Sequence, residues 1–166
     1  MGQAPDPFYG SVNMPIHMTS TYAQVDANVP YFDFDYTRGG NPTREALHKC
    51  MASLENAKYA ISYSAGLSSA LIITHLLKTG DHILSIDDVY GGTGRYFRRA
   101  GQEVYGIESS FVDMTNLKTF KAGFQENTKL VWIETPTNPL LKVVDIAAIA
   151  KICREKKAIL VVDNTF

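Results

Sequence analysis

Two short runs, LVWI at 130–133 and ILVV at 159–162, are apolar at every position. A strand wetted on one face alternates apolar and polar residues, whereas a strand covered on both faces is apolar throughout. These runs therefore call for a sheet with helices above and below it. The chain between and before them supplies the helices. DIAAIAKICREKK carries Ile146, Ile149, Ala150 and Cys153 at helical spacing, and TNLKTFKAGF groups Leu117, Phe120 and Phe124.

Reading outward, the alternation holds. KYAISYS (58–64) reads as a first strand, GLSSALIITHLLKTG as a helix ending on Gly80, and DHILSID as a second strand. TGRYFRRA starts a short helix, EVYGIESSFVD holds a third strand, and KLVWIET and AILVVD are the fourth and fifth. Strands and helices in this order predict an α/β fold of three α/β/α layers, its sheet mostly parallel with right-handed crossovers. Residues 1–42, with five prolines and the aromatic run YFDFDY, read as an amino-terminal arm, and residues 43–166 as the domain. The domain's first helix, NPTREALHKCMASLENA, has Asn41 to cap it and Pro42 at the first helical position. Leu47, Cys50, Met51 and Leu54 are expected to form its apolar face.

Composition narrows the function classes. At 166 residues and 45% hydrophobic, the chain is sized for one globular domain. A formal net charge of −1 gives no footprint for nucleic acid or an anionic membrane. No apolar run approaches the roughly 20 residues of a membrane helix. The amino end shows neither a signal-peptide pattern nor a myristoylation signal, so a cytoplasmic protein is expected. Cys50 and Cys153 are read as reduced core residues. His17, His48, His75 and His82 have no metal-ligand spacing.

Ligands of open α/β sheets collect at the carboxyl ends of the strands. SAGLSS opens a helix there. It is either an ordinary turn or an anion site built from the amides of Gly66 and Leu67 beside Ser64 and Ser68. Tyr36 and Arg38 in DYTRGGNPTR are a solvated turn, or a hydroxyl and a guanidinium offered to a phosphate. Tyr90 and Arg95 surround glycines in DVYGGTGR, as a core aromatic and a surface arginine or as ligand contacts. Asp163 ends an apolar strand. A carboxylate there either caps the next loop or meets a cationic ring nitrogen, because burying it bare is costly.

Together and in this order, YTRGGNPTR, DDVYGGTGRYF, ETPTNP and VVDNTF resemble the pyridoxal-phosphate enzymes of cysteine and methionine metabolism, the trans-sulfuration enzymes. The resemblance runs from PIHMTSTY onward. It implies the large domain of a fold type I PLP-dependent transferase, present in part. It also implies a lyase that breaks a carbon–sulfur bond in a small sulfur amino acid, or a sister elimination or replacement. By the same resemblance Asp163 pairs with the ring nitrogen of pyridoxal 5'-phosphate, with Thr165 beside it. Tyr90 stacks on the ring, Asn138 bonds its phenolic oxygen, and Gly66 and Leu67 hold the phosphate. Tyr36 and Arg38 reach that phosphate from a neighbouring subunit of a homo-tetramer, and Arg38, Tyr90 and Arg95 contact substrate.

A helix terminus contributes roughly 0.3–2 kcal/mol to anion binding. Micromolar retention needs about 8 kcal/mol, so the amides need an arginine and a covalent link besides. Two departures stand out. Ala65 replaces the family's usual serine before the phosphate-turn glycine, and the family's Schiff-base lysine belongs to a block downstream of VVDNTF. The family's sheet order, 3-2-4-5-6-7-1, would leave KYAISYS apart from the other four strands. The isolated chain is thus expected to lack activity, and the rival reading is a non-catalytic interaction module that keeps the fold.

Overall fold

The computed structural model describes residues 4–166, so the first three residues of the stretch read for a targeting signal lie outside it. The chain forms two compact units, the first running through Ser64 and the second covering Ala65–Phe166.

In the first unit, β1 (Gln24–Asp26) and β2 (Val29–Pro30) make a short antiparallel hairpin, and Thr21 bridges to Tyr36. Helix α1 (Pro42–Leu54) starts as its sequence dictates. Asn41 accepts from the amides of Thr43 at 2.9 Å and Arg44 at 3.3 Å, and Pro42 follows it. The Asn41 amide also donates to the His17 carbonyl, the Tyr22 hydroxyl and Thr37 Oγ1, at 3.0, 3.2 and 2.9 Å. One buried side chain thus fastens the arm to the helix it caps.

Two expectations fail here. The predicted apolar face of α1 is not buried: Leu47, Met51 and Leu54 are exposed, Cys50 is half-buried, and only Ala46 is inside. Residues 58–64 are not a strand. A strand exists only as part of a hydrogen-bonded ladder, and among the described residues none lies alongside this stretch. It is held instead through Ser62, whose amide and hydroxyl both meet His48 Nε2.

The second unit is built on four parallel strands: β3 (His82–Ile86), β4 (Glu108–Val112), β5 (Thr128–Glu134) and β6 (Ile159–Asp163), in the order β4-β3-β5-β6. This is the 3-2-4-5 portion of the expected order. Helix α2 (Gly66–Thr74) precedes the sheet. Helix α3 (Gly91–Tyr96), continued as a π-helix over Phe97–Val104, links β3 to β4; α4 (Leu117–Ala122) leads to β5; α5 (Ile146–Lys156) leads to β6.

Side-chain contacts separate the layers. On one face, Phe97 packs edge-on to Trp132 at 5.4 Å, Arg98 lies 4.0 Å above Phe111, and Thr74 of α2 bonds the Tyr96 hydroxyl at 2.7 Å. The opposite face meets the end of α4. A Cβ on Gly123 would stand 2.8 Å from a Leu84 methyl and 3.2 Å from one of Val112, so the glycine permits this approach without displacing either side chain. Lys156 of α5 reaches over Phe124 on the same side. The fold is α/β in three layers.

β5 is buried over Leu130–Ile133 as its pattern requires, but in β6 Ile159 is exposed and Leu160–Val162 are half-buried, because β6 has one neighbour among the described residues. Helix α2 ends at Thr74 rather than at Gly80; Gly80, at φ +88°, closes a separate turn before β3. The buried stripe of α5 is Ile149, Ile152 and Cys153, with Ile146 exposed. Burial pushes the Cys153 thiol up to about 11. Among the described residues no helix is long and apolar enough to cross a membrane.

Candidate active site

The strand order places β3 and β5 side by side while the connections from each run in opposite directions, and such a switch point leaves a crevice at the carboxyl ends. A cavity of about 350 Å³ lies there, within the size range of small-molecule sites. Four segments line it: the start of α2, the β3–α3 junction, the loop after β5, and the end of β6.

At the start of α2, Ala65 stands in the cap position and makes no side-chain cap bond. The amides of Gly66 and Leu67 find no acceptor among the described residues, and nothing lies within 4 Å of where a Gly66 Cβ would be. With no side-chain cap from Ala65, the first amides of α2, those of Gly66 and Leu67, stay open as donors at the cavity wall.

Tyr90 closes another side. Its amide donates to both oxygens of Glu134, at 3.0 and 2.9 Å, and its ring is half exposed. A Cβ on Gly92 would come within 2.5 Å of that ring. The glycine is what lets the ring lie where it does.

Asp163 ends β6 directly opposite Glu134. Its Oδ1 accepts from the Thr165 amide at 3.1 Å and the Thr165 hydroxyl at 2.5 Å. The loop-capping role is thus filled by one oxygen. The other has no hydrogen bond, and no cation pairs with the group among the described residues. Glu134 is almost fully buried. Burial raises its carboxyl above the usual range, the Tyr90 amide opposes that, and the Asp163 carboxylate adds to it.

Of the residues the sequence singled out, Gly66, Leu67, Tyr90, Asn138, Asp163 and Thr165 come together here. Arg95 is exposed on α3 and does not line the cavity. Tyr36 and Arg38 belong to the first unit, where the guanidinium lies 5.2 Å over the tyrosine ring. Glu134, Thr93 and Pro136 also line the cavity and were not foreseen. The rule that singled out Asp163, an acid ending an apolar strand, applies equally to Glu134.

The cavity offers two amide donors at one segment, an aromatic face at another, and an unpaired carboxylate at a third. This set fits a ligand that carries an anionic group on a cationic aromatic ring. No lysine lines the cavity among the described residues.

The family model described as Cys/Met metabolism PLP-dependent enzyme matches residues 1–166. The chain belongs to that family. Among relatives in it, cystathionine gamma-lyase of Dictyostelium discoideum is 52% identical over 165 residues, 99% of this chain and 42% of the relative. The Homo sapiens protein of that name is 48% identical, over 100% of this chain and 41% of its own. The solved structure of metB from Corynebacterium glutamicum superposes with a TM-score of 0.94 at 44% identity, covering 99% of this chain and 43% of the other. This family member therefore spans 42% of the length of the first of these relatives. Pyridoxal 5'-phosphate, the group implied by the family, has the anionic phosphate and protonated ring for which the donor set is suited.

Proposed function

We propose that this chain supplies the ring-binding part of a carbon–sulfur lyase of trans-sulfuration, which splits cystathionine into cysteine, 2-oxobutanoate and ammonia. The observation that carries the reading is the Asp163 carboxylate, held by Thr165 on one oxygen and open on the other, in the same cavity as the free Gly66 and Leu67 amides. Pyridoxal 5'-phosphate, when bound, supplies an electron sink for bonds at the substrate's carbon atoms.

The residues of the chain bind and orient. Asp163 keeps a proton on the ring nitrogen, and the Gly66 and Leu67 amides receive the phosphate. Tyr90 covers the ring face, Asn138 donates to the phenolic oxygen, and Thr165 fixes the angle of Asp163. Tyr36 and Arg38 serve the phosphate of a neighbouring subunit in a homo-tetramer, and Arg95 meets substrate. Such an assembly would be cytoplasmic. Sister eliminations and replacements use the same residues, so substrate choice is decided by groups outside this set.

The test is a direct one. The 166-residue chain is mixed with pyridoxal 5'-phosphate, and the visible band, its fixation by borohydride and the release of 2-oxobutanoate from cystathionine are followed. With no lysine in the cavity, the expected result is weak binding and no turnover. The longest product of the encoding gene, assayed in parallel, is expected to give both the band and turnover. A stoichiometric band on one lysine of the 166-residue chain, with turnover, would overturn the assignment of the site.

A further inference from the structure

The loop after β5 carries Asn138, and its conformation is set by a residue of a different strand. Asp88, just past β3, accepts through Oδ2 from the Thr137 hydroxyl and from the Leu140 amide, the latter at 2.9 Å. Those two donors stand on either side of Asn138 and Pro139. Thr137 is fully buried, and its Oγ1 also accepts from the Lys142 amide at 2.8 Å. Its own amide donates to the Lys142 carbonyl at 3.0 Å. Lys142 in turn grips both oxygens of Asp87 at 3.0 Å. The loop is closed on itself at Thr137 and Lys142, and anchored to the end of β3 at both places.

We propose that Asp88 is a positioning residue, which aims Asn138 into the cavity by gripping the loop on both sides of it through Thr137 and Leu140. The inference rests on the reading of the cavity as a pyridoxal-phosphate site. Asp88 itself does not line the cavity, whereas Tyr90 and Asn138 do. Two residues from Tyr90, it therefore couples the two loops whose side chains meet the ring. One oxygen shared between a hydroxyl and an amide fixes distance as well as direction, because a charged acceptor holds its donors more tightly than a neutral one.

The experiment uses the longest product of the encoding gene, as wild type, Asp88→Ala, Thr137→Val and Thr137→Ser. Thr137→Val keeps the shape but removes the hydroxyl, and with it the acceptor of the Lys142 amide, so exchange at Leu140 reads the Asp88 grip in that variant and keeps the test valid if Asp88→Ala fails to fold. Thr137→Ser keeps the hydroxyl. Amide hydrogen exchange at Leu140 and Lys142, measured without ligand, reads the loop. Pyridoxal-phosphate affinity, and the pH at which the bound cofactor changes colour, read the aim of Asn138. Expected for Asp88→Ala and Thr137→Val are faster exchange at both amides, about tenfold weaker binding and a colour change moved to higher pH. Thr137→Ser is expected to restore all three. Unchanged exchange overturns the proposal, and so does faster exchange with affinity and colour unmoved. Wild type that binds no pyridoxal phosphate overturns the reading of the cavity and this inference with it, while exchange still tells whether the grip exists.

Discussion

Glu134 and Asp163 face each other in register at the carboxyl ends of β5 and β6, so two carboxylates close neighbouring parallel strands. The pair divides its labour through its partners. Glu134 holds the Tyr90 amide with both oxygens, and Asp163 gives one oxygen to Thr165 and keeps one open.

Burial, with help from Asp163, raises the Glu134 carboxyl above its ordinary 4.5. A raised folded-state value means that the folded chain binds the proton more tightly than the unfolded one. The contribution to stability is present below about 4.5 and is lost as pH rises through the folded value. Glu134→Gln, which keeps an acceptor for Tyr90, should therefore raise Tm near pH 7.5 by about 2–4 °C, or ~1 kcal/mol. The gain should shrink as pH falls through the raised value, where the wild-type carboxyl takes up its proton. Asp163→Asn should shrink it at neutral pH by removing the neighbouring charge. A gain equal at all pH values would mean that Glu134 carries no proton linkage.

Gly92→Ala places a methyl group within van der Waals overlap of the Tyr90 ring. The ring is the far end of a movable side chain, so stability should change by less than about 0.5 kcal/mol. Ligand contact should suffer instead, because the ring has to leave the cavity wall. Thermal melts and cofactor titration, run side by side, separate the two effects. A fall in Tm matching the fall in affinity would argue against this account.

His82 lies buried at the start of β3, with Nδ1 2.8 Å from Thr128 Oγ1 and Nε2 2.9 Å from Ser110 Oγ. Burial lowers its value below the ordinary 6.5, against the opposing pull of Glu108. Its share of stability is thus full above about 6.5 and is lost as pH falls through the lowered value. Chemical denaturation at pH 7.5 and pH 5 should show a loss that His82→Gln lacks, even though the substitution itself costs stability. Parallel pH profiles for the two proteins would sink the idea.

Asn41→Ala removes a helix cap worth about 0.5–2 kcal/mol and the two N–H donors shared among His17, Tyr22 and Thr37. Asn41→Asp keeps the cap and loses only the donors. Limited proteolysis between residues 17 and 41 should rank wild type slowest, Asn41→Asp next and Asn41→Ala fastest. Equal rates for the two variants would show that the arm does not depend on the donors.

The sheet was legible because burial on both faces leaves a local mark: LVWI needs no partner in view to be read as a buried strand. KYAISYS carries a similar apolar content, but strand formation depends on a neighbour that sequence does not display locally, and none lies beside it among the described residues. The stripe of α1 misled for the same reason, since periodicity records which face is apolar and not whether anything covers it. In α5 the stripe was right in kind, but its buried members are Ile149, Ile152 and Cys153, with Ile146 left exposed. Gly66, Leu67, Tyr90 and Asp163 were legible because ligands gather at the carboxyl ends of parallel strands, whereas Asn138 and Thr165 were named only through the family resemblance. Asp88 and Thr137 were not legible, because their role depends on a bond spanning 49 positions.

The strand order also bears on how the chain can be made. β4 settles beside β3, β5 takes the free edge of β3, and β6 takes the free edge of β5. Each of β4, β5 and β6 thus docks on an edge already in place, and none of these three has to be threaded between two older ones. The sheet can grow vectorially during synthesis. Glu134 thus leaves the ribosome ahead of Asp163, the residue it faces in the finished sheet.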